Sequence, residues 1–233
     1  MHGKESPGQS SDFYRRRARD YSEVAHAFRQ SVYRQSSHSS IVDDWSLMSL
    51  ALKRSCGSRC LDAGCGPGAR DVFELWRRGI DVHGIDRSPE AVLVARQVHP
   101  EIAERVSVHD LAHPLPFENA SFDLVLCNAV IQHIPREDVF AVTLPEFARV
   151  LVLNGVLQLM FKCGAGTLTL FDPDYGESRT FLLYEEEALI DRLAELQLQL
   201  IEPSSPTEPG GCLYFTDSKG ARHCTIHVRK MST

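Results

Sequence analysis

The chain has 233 residues, of which 43% are hydrophobic and 24% are charged, as in an ordinary globular protein with one large core. Its formal net charge of −6 argues against broad nucleic-acid binding, which Lys and Arg usually supply. No stretch is apolar enough to span a bilayer, and seven cysteines without a Cys-x-x-Cys pair fit neither a disulfide framework nor a zinc site. We therefore expect a cytoplasmic protein with free thiols, no metal, no nucleic-acid partner and no membrane contact.

Composition and periodicity divide the chain into three parts. Residues 1–11 are rich in Gly, Ser and other polar residues, which predicts a disordered N-terminus. Residues 12–56 have helical spacing of apolar residues and predict a helical lid, within which Ser40-Ile-Val-Asp43 resembles a capping box. The basic run Arg15–Arg17 is typical of a solvated helix face. Residues 57–233 are predicted to form an α/β domain.

The α/β domain is predicted from short apolar runs that alternate with amphipathic stretches, the pattern of βαβ units with helices on both faces of a Rossmann-like sheet. We expect an Asn154-Gly155 turn before the fifth strand, and a helix that bends or restarts at Pro145. The seven predicted strands are Ser58–Leu61, Asp81–Ile85, Arg105–His109, Phe122–Cys127, Val156–Phe161, Gln197–Glu202 and Cys224–Arg229.

A glycine-rich turn and three acids carry the main chemical signal. The turn Asp62-Ala-Gly-Cys-Gly-Pro-Gly68 follows the first strand, where glycine lets the backbone approach a ligand. Asp86 ends the second strand, 22 residues after Gly64, and is placed to bind ribose hydroxyls, although a helix N-cap is the alternative. Asp110 ends the third strand and is placed to accept a hydrogen bond from an adenine amino group.

These residues resemble the motifs of class I methyltransferases, which use S-adenosyl-L-methionine as the cofactor. The resemblance implies a sheet whose last strand is antiparallel. It covers nearly all of residues 60–162, and its motifs are Leu61–Gly68, Ile85–Ala91, His109–Leu111, Leu115–Phe117 with Ser121–Asn128, and Glu146–Leu151.

The resemblance also implies roles for individual residues. Asp62 and the glycine-rich turn hold the methionine end of the cofactor, and Asn128 lies near its methyl group. Asp86 binds the ribose, and Asp110 with Leu111 binds the adenine. The complete cofactor-binding set is Asp62, Gly64, Cys65, Gly66, Gly68, Asp86, Arg87, Asp110, Leu111 and Asn128.

The acceptor site is predicted on either side of the cofactor. Tyr14 and Tyr21 match the N-terminal Tyr/Ala/Tyr helix of small-molecule methyltransferases, whose aromatic residues cover the cofactor. Phe171 is placed in the acceptor wall, in a segment around Phe171–Glu177 that we expect to be a polar loop. His133, shortly after the fourth strand, is both a substrate-binding residue and the candidate catalytic base, with a histidine packed against a loop as the alternative.

The sequence thus predicts methyl transfer to a small-molecule acceptor by in-line displacement, with oxygen, nitrogen and carbon left open as the methylated atom. The segment Asn128-Ala-Val-Ile131 lacks the Pro-Pro-aromatic signature of amino-methylating DNA enzymes, and no Pro-Cys nucleophile occurs there. Two alternatives remain. One is an NAD-dependent oxidoreductase, and the other is a catalytically silent relative that binds cofactor as a partner or regulator.

Overall fold

The computed structural model describes residues 13–27 and 33–232. The predicted disordered segment 1–11 lies outside the described residues. The helices are α1 (Ala18–Ala27), α2 (Asp44–Arg54), α3 (Arg70–Trp76), α4 (Pro89–Val98), α5 (Leu144–Val150) and α6 (Glu186–Glu195). The strands are β1 (Arg59–Ala63), β2 (Asp81–Asp86), β3 (Val106–Val108), β4 (Phe122–Asn128), β5 (Leu151–Lys162), β6 (Thr167–Asp172), β7 (Glu177–Leu182), β8 (Leu198–Leu200), β9 (Cys212–Thr216) and β10 (Arg222–Lys230).

The central sheet has the strand order β3-β2-β1-β4-β5-β10-β8. Strands β1 to β5 run parallel to one another, whereas β10 is antiparallel to both β5 and β8. The seven predicted strands and the antiparallel last strand are confirmed. β9 also pairs with β10 and makes an eighth strand that the sequence analysis did not predict.

Helices cover both faces of this sheet, as its apolar strands require. On one face, side chains of α2, α3 and α4 such as Met48, Val72 and Val92 form one buried cluster with β1 and β4. On the other face, α5 and α6 bury Phe147 and Leu189 against β5 and β10. Because β1 to β4 run parallel, their carboxyl ends meet at one edge of the sheet, where open α/β folds bind ligands.

The start of α2 differs from the prediction. The N-cap is Asp43, whose Oδ1 accepts a hydrogen bond from the Ser46 backbone N–H at 2.7 Å. Ser46 completes the capping box, because its Oγ accepts from the Asp43 N–H at 3.0 Å. The prediction of a capping box at Ser40–Asp43 is therefore wrong: the box lies one turn later, at Asp43–Ser46, and Asp43 is the N-cap residue.

Two irregularities lie beside β5. Residues Val139–Thr143 form a π-helical turn ahead of α5, which begins next to Pro145, so the predicted bend is present. Proline has no N–H to donate, which disrupts the regular helical hydrogen bonds at this point. β5 begins at Leu151, and the predicted Asn154-Gly155 turn is instead an irregularity within that strand, where Asn154 has φ +64°.

The segment Phe171–Glu177, predicted as a polar loop, is the tip of a β-hairpin: residues 173–176 form its turn, and the strands on either side were not predicted. β6 and β7 pair antiparallel from Thr167–Leu182 to Asp172–Glu177, separate from the central sheet. Alternation of polar and apolar residues along Thr167–Phe171 favours a strand over a loop. The acid Asp172 is 3% exposed, since Arg179 and Lys219 both bind its carboxylate.

Candidate active site

A cavity of about 580 Å³ opens at the carboxyl edge of the sheet, within the size range of small-molecule sites. The glycine-rich turn, the ends of β2, β4 and β5, the β6–β7 hairpin and the segment around Tyr14 form its walls. The structure brings nearly all predicted site residues to this cavity: Tyr14, Tyr21, Asp62, Gly64, Cys65, Gly66, Asp86, Arg87, Asp110, Leu111, Asn128, His133 and Phe171.

The glycine-rich turn is held against β2. The N–H groups of Gly64 and Cys65 both donate to the Ile85 carbonyl, at 2.8 and 3.0 Å. Gly64 has φ +94°, and a Cβ there would lie 2.4 Å from Cγ2 of Val130. Gly66 has φ +66° and open space where its Cβ would be. The turn therefore needs glycine for close packing at position 64 and exposes bare backbone to the cavity at position 66.

Gly68 is the predicted cofactor residue that does not line the cavity. It has φ +96°, and a Cβ there would lie 2.7 Å from Oγ of Ser22 in α1. The glycine at position 68 thus allows α1 to approach the turn. The ion pairs of Arg16 and Arg17 with Glu177, each 3.3 Å long, hold the same N-terminal segment to the hairpin. Arg16 and Arg17 therefore contact the hairpin, in addition to forming the solvated helix face predicted for them.

Asp62 lies in the interior of the protein, with only 4% of the residue exposed. Burial raises the pKa of its carboxyl well above the usual value, Asp71 raises it further, and Arg70 opposes both effects. A buried acid of this kind favours a cationic partner, because a positive charge beside it restores the ionised form. The residue therefore suits the ammonium group of an amino-acid ligand.

Asp86 lies at the end of β2 and faces the turn. Its Oδ2 accepts from the Gly66 N–H at 3.0 Å, and its Oδ1 accepts from the Ser88 N–H at 2.9 Å. Burial raises the pKa of Asp86, and these two backbone N–H groups oppose that rise. Ser88 is the N-cap of α4, so Asp86 does not have the alternative capping role. Each carboxylate oxygen keeps a lone pair for a ligand hydroxyl.

Asp110 lies beside Asp86, in the loop that follows β3. Its Oδ1 accepts from the Ala112 N–H at 3.0 Å, and its Oδ2 is 3.8 Å from Nε of Arg87. The side chain of Leu111, which is 5% exposed, also lines the cavity. This end of the cavity thus combines an acid that can accept hydrogen bonds with an apolar surface, the combination that a purine ring requires.

His133 also lines the cavity. Its Nε2 is 3.1 Å from the hydroxyl of Tyr14. Burial, followed by the positive charges of Arg179 and Lys162, lowers the pKa of His133 to about 3. The imidazole is therefore neutral near pH 7. A histidine with so low a pKa is a weak proton acceptor, so it acts more readily as a hydrogen-bonding group than as a strong base.

Arg179 of β7 is a site residue that the sequence analysis missed. Its guanidinium is 3.0 Å from Asp172 and donates to the Tyr14 hydroxyl. Four aromatic rings surround the guanidinium carbon at centroid distances of 4.6–5.9 Å, namely Phe13, Tyr14, Tyr21 and Phe181. Cation–π contacts of this kind hold a guanidinium in place. A strand predicted over Glu177–Leu182 would have placed Arg179 and Phe181 on one face.

Lys162, at the end of β5, is a second missed residue. Its Nζ is 3.3 Å from Oδ2 of Asp217 and 3.0 Å from Nε2 of His223. Burial lowers its pKa, and Asp217 opposes that effect. The sequence signal that could have identified Lys162 is its position at the end of a strand, as for Asn128 on the neighbouring strand. Phe171, in contrast, is 64% exposed and lies at the rim of the cavity.

A buried relay of side chains fixes the orientation of Asn128. Arg54 can only donate, so Nδ1 of His227, 2.6 Å away, is an acceptor. Nε2 of His227 then carries the proton and donates to Oε1 of Gln158 at 2.8 Å. The Gln158 amide nitrogen donates to Oδ1 of Asn128 at 2.7 Å. The amide N–H groups of Asn128 are thereby left for the cavity.

We expect the relay to make stability depend on pH. Burial, and then Arg54, lowers the pKa of His227 from 6.5 to about 3. Between these values the unfolded chain binds a proton that the folded chain does not, so the free energy of unfolding falls as pH falls, by about 1.4 kcal/mol per pH unit. His227→Gln should flatten this slope in urea unfolding measured at pH 6, 5 and 4.

The exposed His113 provides the matched control, and His113→Gln should leave the slope unchanged. Equal slopes for wild type and His227→Gln would show that His227 titrates normally in the folded protein.

Comparison with known proteins agrees with this geometry. Residues 61–159 match a family model described as a methyltransferase domain. Ubiquinone biosynthesis O-methyltransferase of Alkalilimnicola ehrlichii is 38% identical over 84 residues, which are 34% of this chain and 32% of that protein. Across the first curated relatives, the matches span about a third of the relatives' length.

Solved structures match over more of the chain. The 1,6-didemethyltoxoflavin-N1-methyltransferase of Burkholderia thailandensis, solved with bound 1,6-didemethyltoxoflavin and S-adenosylhomocysteine, has a TM-score of 0.57 and 17% identity, covering 100% of this chain and 93% of that chain. The [4+2]-cyclase SpnF has a TM-score of 0.65 and 16% identity, covering 95% of each chain. At these identities the likeness shows the fold.

The strand order, the cavity at the carboxyl edge and the match over residues 61–159 define a methyltransferase domain. The fold is that of solved S-adenosylmethionine-dependent methyltransferases. The domain match and the fold confirm the predicted resemblance and fold class, and they point to S-adenosylmethionine as the cofactor. The antiparallel β10 also separates the sheet from the usual dinucleotide-binding order 3-2-1-4-5-6, which disfavours the NAD-dependent alternative.

Proposed function

We propose that the protein binds S-adenosylmethionine along the carboxyl edge of β1 to β4 and transfers its methyl group to a small molecule. The observation that carries the proposal is that three acids from successive strand ends, Asp62, Asp86 and Asp110, all line one cavity. In this arrangement Asp62 faces the ammonium group, Asp86 the ribose hydroxyls, and Asp110 with Leu111 the adenine. Asn128 lies between this end and the acceptor.

The residues of the chain fit the cofactor. Gly66 leaves open space beside the cavity, and the buried Asp62 favours a positive charge. When bound, S-adenosylmethionine supplies a methyl group made electrophilic by its sulfonium. The protein must then hold an acceptor atom in line with the methyl carbon and exclude water, and such positioning alone contributes up to about 7–11 kcal/mol of barrier reduction.

The acceptor is proposed to bind between the β6–β7 hairpin and the aromatic segment at Tyr14 and Tyr21. Tyr175 supports this position, because its hydroxyl is buried and has no hydrogen-bond partner among the described residues. A buried, unpaired hydroxyl costs free energy that a ligand contact recovers. His133, hydrogen-bonded to Tyr14, would contact the acceptor as a neutral group.

Calorimetric titration with S-adenosylmethionine, S-adenosylhomocysteine and NAD in parallel tests this proposal. We expect micromolar binding of both adenosyl ligands and no binding of NAD, because the three acids fit an amino acid joined to a nucleoside. Binding of NAD, or of none of the three ligands, would contradict the proposed cofactor site.

The second candidate is a catalytically silent relative that binds the cofactor as a partner or regulator, a role that the same cavity residues also suit. Formation of S-adenosylhomocysteine in the presence of an acceptor distinguishes methyl transfer from silent cofactor binding. For location, we propose the cytoplasm, supported by seven free cysteines. Among residues 13–27 and 33–232, no helix has the length and apolar character to cross a bilayer.

A further inference from the structure

The acceptor end of the cavity is built around the ring of Phe181. Nζ of Lys162 is 4.9 Å from the ring centroid, and the guanidinium carbon of Arg179 is 5.0 Å from it. The His133 ring packs against the same side chain at a centroid distance of 5.5 Å. We call these residues, together with Gln132 beside Lys162, the cationic end of the cavity.

The amide side chains at this end present donors. Oε1 of Gln132 accepts from the backbone N–H of Lys162 at 3.2 Å, and a backbone N–H can only donate, which fixes the amide orientation. The nitrogen of the Gln132 amide is therefore the atom left for other partners. Asn128 has the same polarity, because the relay from Arg54 occupies its oxygen. Both cavity-lining amides thus favour a ligand that accepts hydrogen bonds.

The carboxylates near the cationic end are each held by cations. Asp217 binds Lys162, and Asp172 binds Arg179 and Lys219. Arg179, in contrast, has donor capacity beyond these pairs. Among the contacts of the described residues, it donates to Asp172 and to Tyr14, which use two of its five N–H groups. A ligand oxygen can therefore bind the guanidinium without displacing Asp172.

Positive charges act on the imidazole of His133. Those of Arg179, Lys162 and Arg87 each lower its pKa. A ligand group at the same place meets the same positive charges, which stabilise an anion and destabilise a cation. The aromatic rings that line this end, among them Phe181 and Tyr175, add a surface for a planar molecule.

We propose that the methyl acceptor carries an anionic oxygen, either a carboxylate or an ionised phenol, and binds with that oxygen at the cationic end. The inference rests on the proposed function. The anionic oxygen forms a bond to the methyl carbon while the carbon–sulfur bond breaks and its electron pair stays on sulfur. No proton has to be removed, so the step requires no strong base at His133. The ester or ether formed is neutral and loses its attraction to Lys162 and Arg179, which aids product release.

Two matched pairs of aromatic probes test the charge requirement. Protein saturated with S-adenosylhomocysteine is titrated with 1-naphthoate and 1-naphthamide, and with 4-nitrophenolate and 4-nitroanisole at mildly alkaline pH. We expect at least one anion to bind about tenfold or more tightly than its neutral partner, because its hydrogen bonds are charge-assisted. The first pair reports on carboxylates and the second on ionised phenols.

Lys162→Met should remove this preference, since it deletes one of the two cations at the ring of Phe181. Lys53→Met is the control, because the Lys53 side chain is 73% exposed on α2, and it should keep the preference. Equal binding within both pairs, or no binding of either anion, would overturn the inference. The comparison within wild type stands even if a variant folds poorly. Failure of S-adenosylhomocysteine to bind wild type would instead overturn the proposed function.

Discussion

Asp86→Asn is expected to weaken binding of S-adenosylhomocysteine about 100-fold. The carboxylate accepts backbone N–H groups from Gly66 and Ser88, and we place the ribose hydroxyls on its remaining lone pairs. An asparagine has no charge, and its NH2 group would face one of the two backbone donors. Hydrogen bonds to charged groups contribute about 1.5–3 kcal/mol each, so losing about 3 kcal/mol in total corresponds to roughly two orders of magnitude in affinity.

The control for Asp86→Asn lies on the same strand. Asp81 begins β2, its side chain is 57% exposed, and its partner is Arg105 at 2.7 Å. Asp81→Asn changes the charge of the protein equally but acts far from the cavity edge, so its affinity for S-adenosylhomocysteine should equal that of wild type. Calorimetry of wild type, Asp86→Asn and Asp81→Asn measures these affinities. Unchanged affinity for Asp86→Asn would show that Asp86 does not bind the ribose.

Gly64→Ala is expected to lower the free energy of unfolding by about 3 kcal/mol. The residue has φ +94°, and the new Cβ would lie 2.4 Å from Cγ2 of Val130. The left-handed backbone costs a non-glycine residue about 1–2 kcal/mol, and overpacking adds about 1–3 kcal/mol. For a domain of this size the change lowers Tm by about 10 °C. Thermal and urea unfolding measure both quantities.

Gly79 separates the two contributions to this loss. It has φ +81° and nothing within 4 Å of an added Cβ, so Gly79→Ala should cost only the backbone part, about 1 kcal/mol. Combining Gly64→Ala with Val130→Ala should give a smaller loss than the sum of the single variants, because the clash is then relieved. Equal losses at positions 64 and 79 would show that Val130 moves aside at no cost.

The end of the cavity that holds the glycine-rich turn could be predicted because its signals are local. Asp62, Asp86 and Asn128 each end an apolar strand, and parallel strands bring their carboxyl ends to one edge. The glycines at positions 64 and 66 follow directly from the strand that precedes them. No knowledge of distant contacts was needed, and the structure places these residues at one cavity.

The end of the cavity at the β6–β7 hairpin, where we propose that the acceptor binds, could not be predicted in the same way, because it depends on contacts between distant segments. Arg179 becomes a site residue only when the hairpin packs against the segment of Tyr14, which is 165 positions away. Lys162 and Asp217 meet only when β10 inserts beside β5. The π-helical turn before Pro145 likewise reflects the packing of one face of the sheet, whereas the sequence indicates only that the helix must break there.

The insertion of β10 also determines when this protein can fold during synthesis. β5 and β8 both pair with a strand that the ribosome makes after them, ending at Lys230. A nascent chain that stops between Thr216 and Arg222 therefore presents the edge of β5 and holds β8 without its pairing strand. Exposed strand edges promote aggregation, and pairing between distant segments is slow. The partly synthesised chain, more than the finished protein, is the species that a chaperone would have to protect.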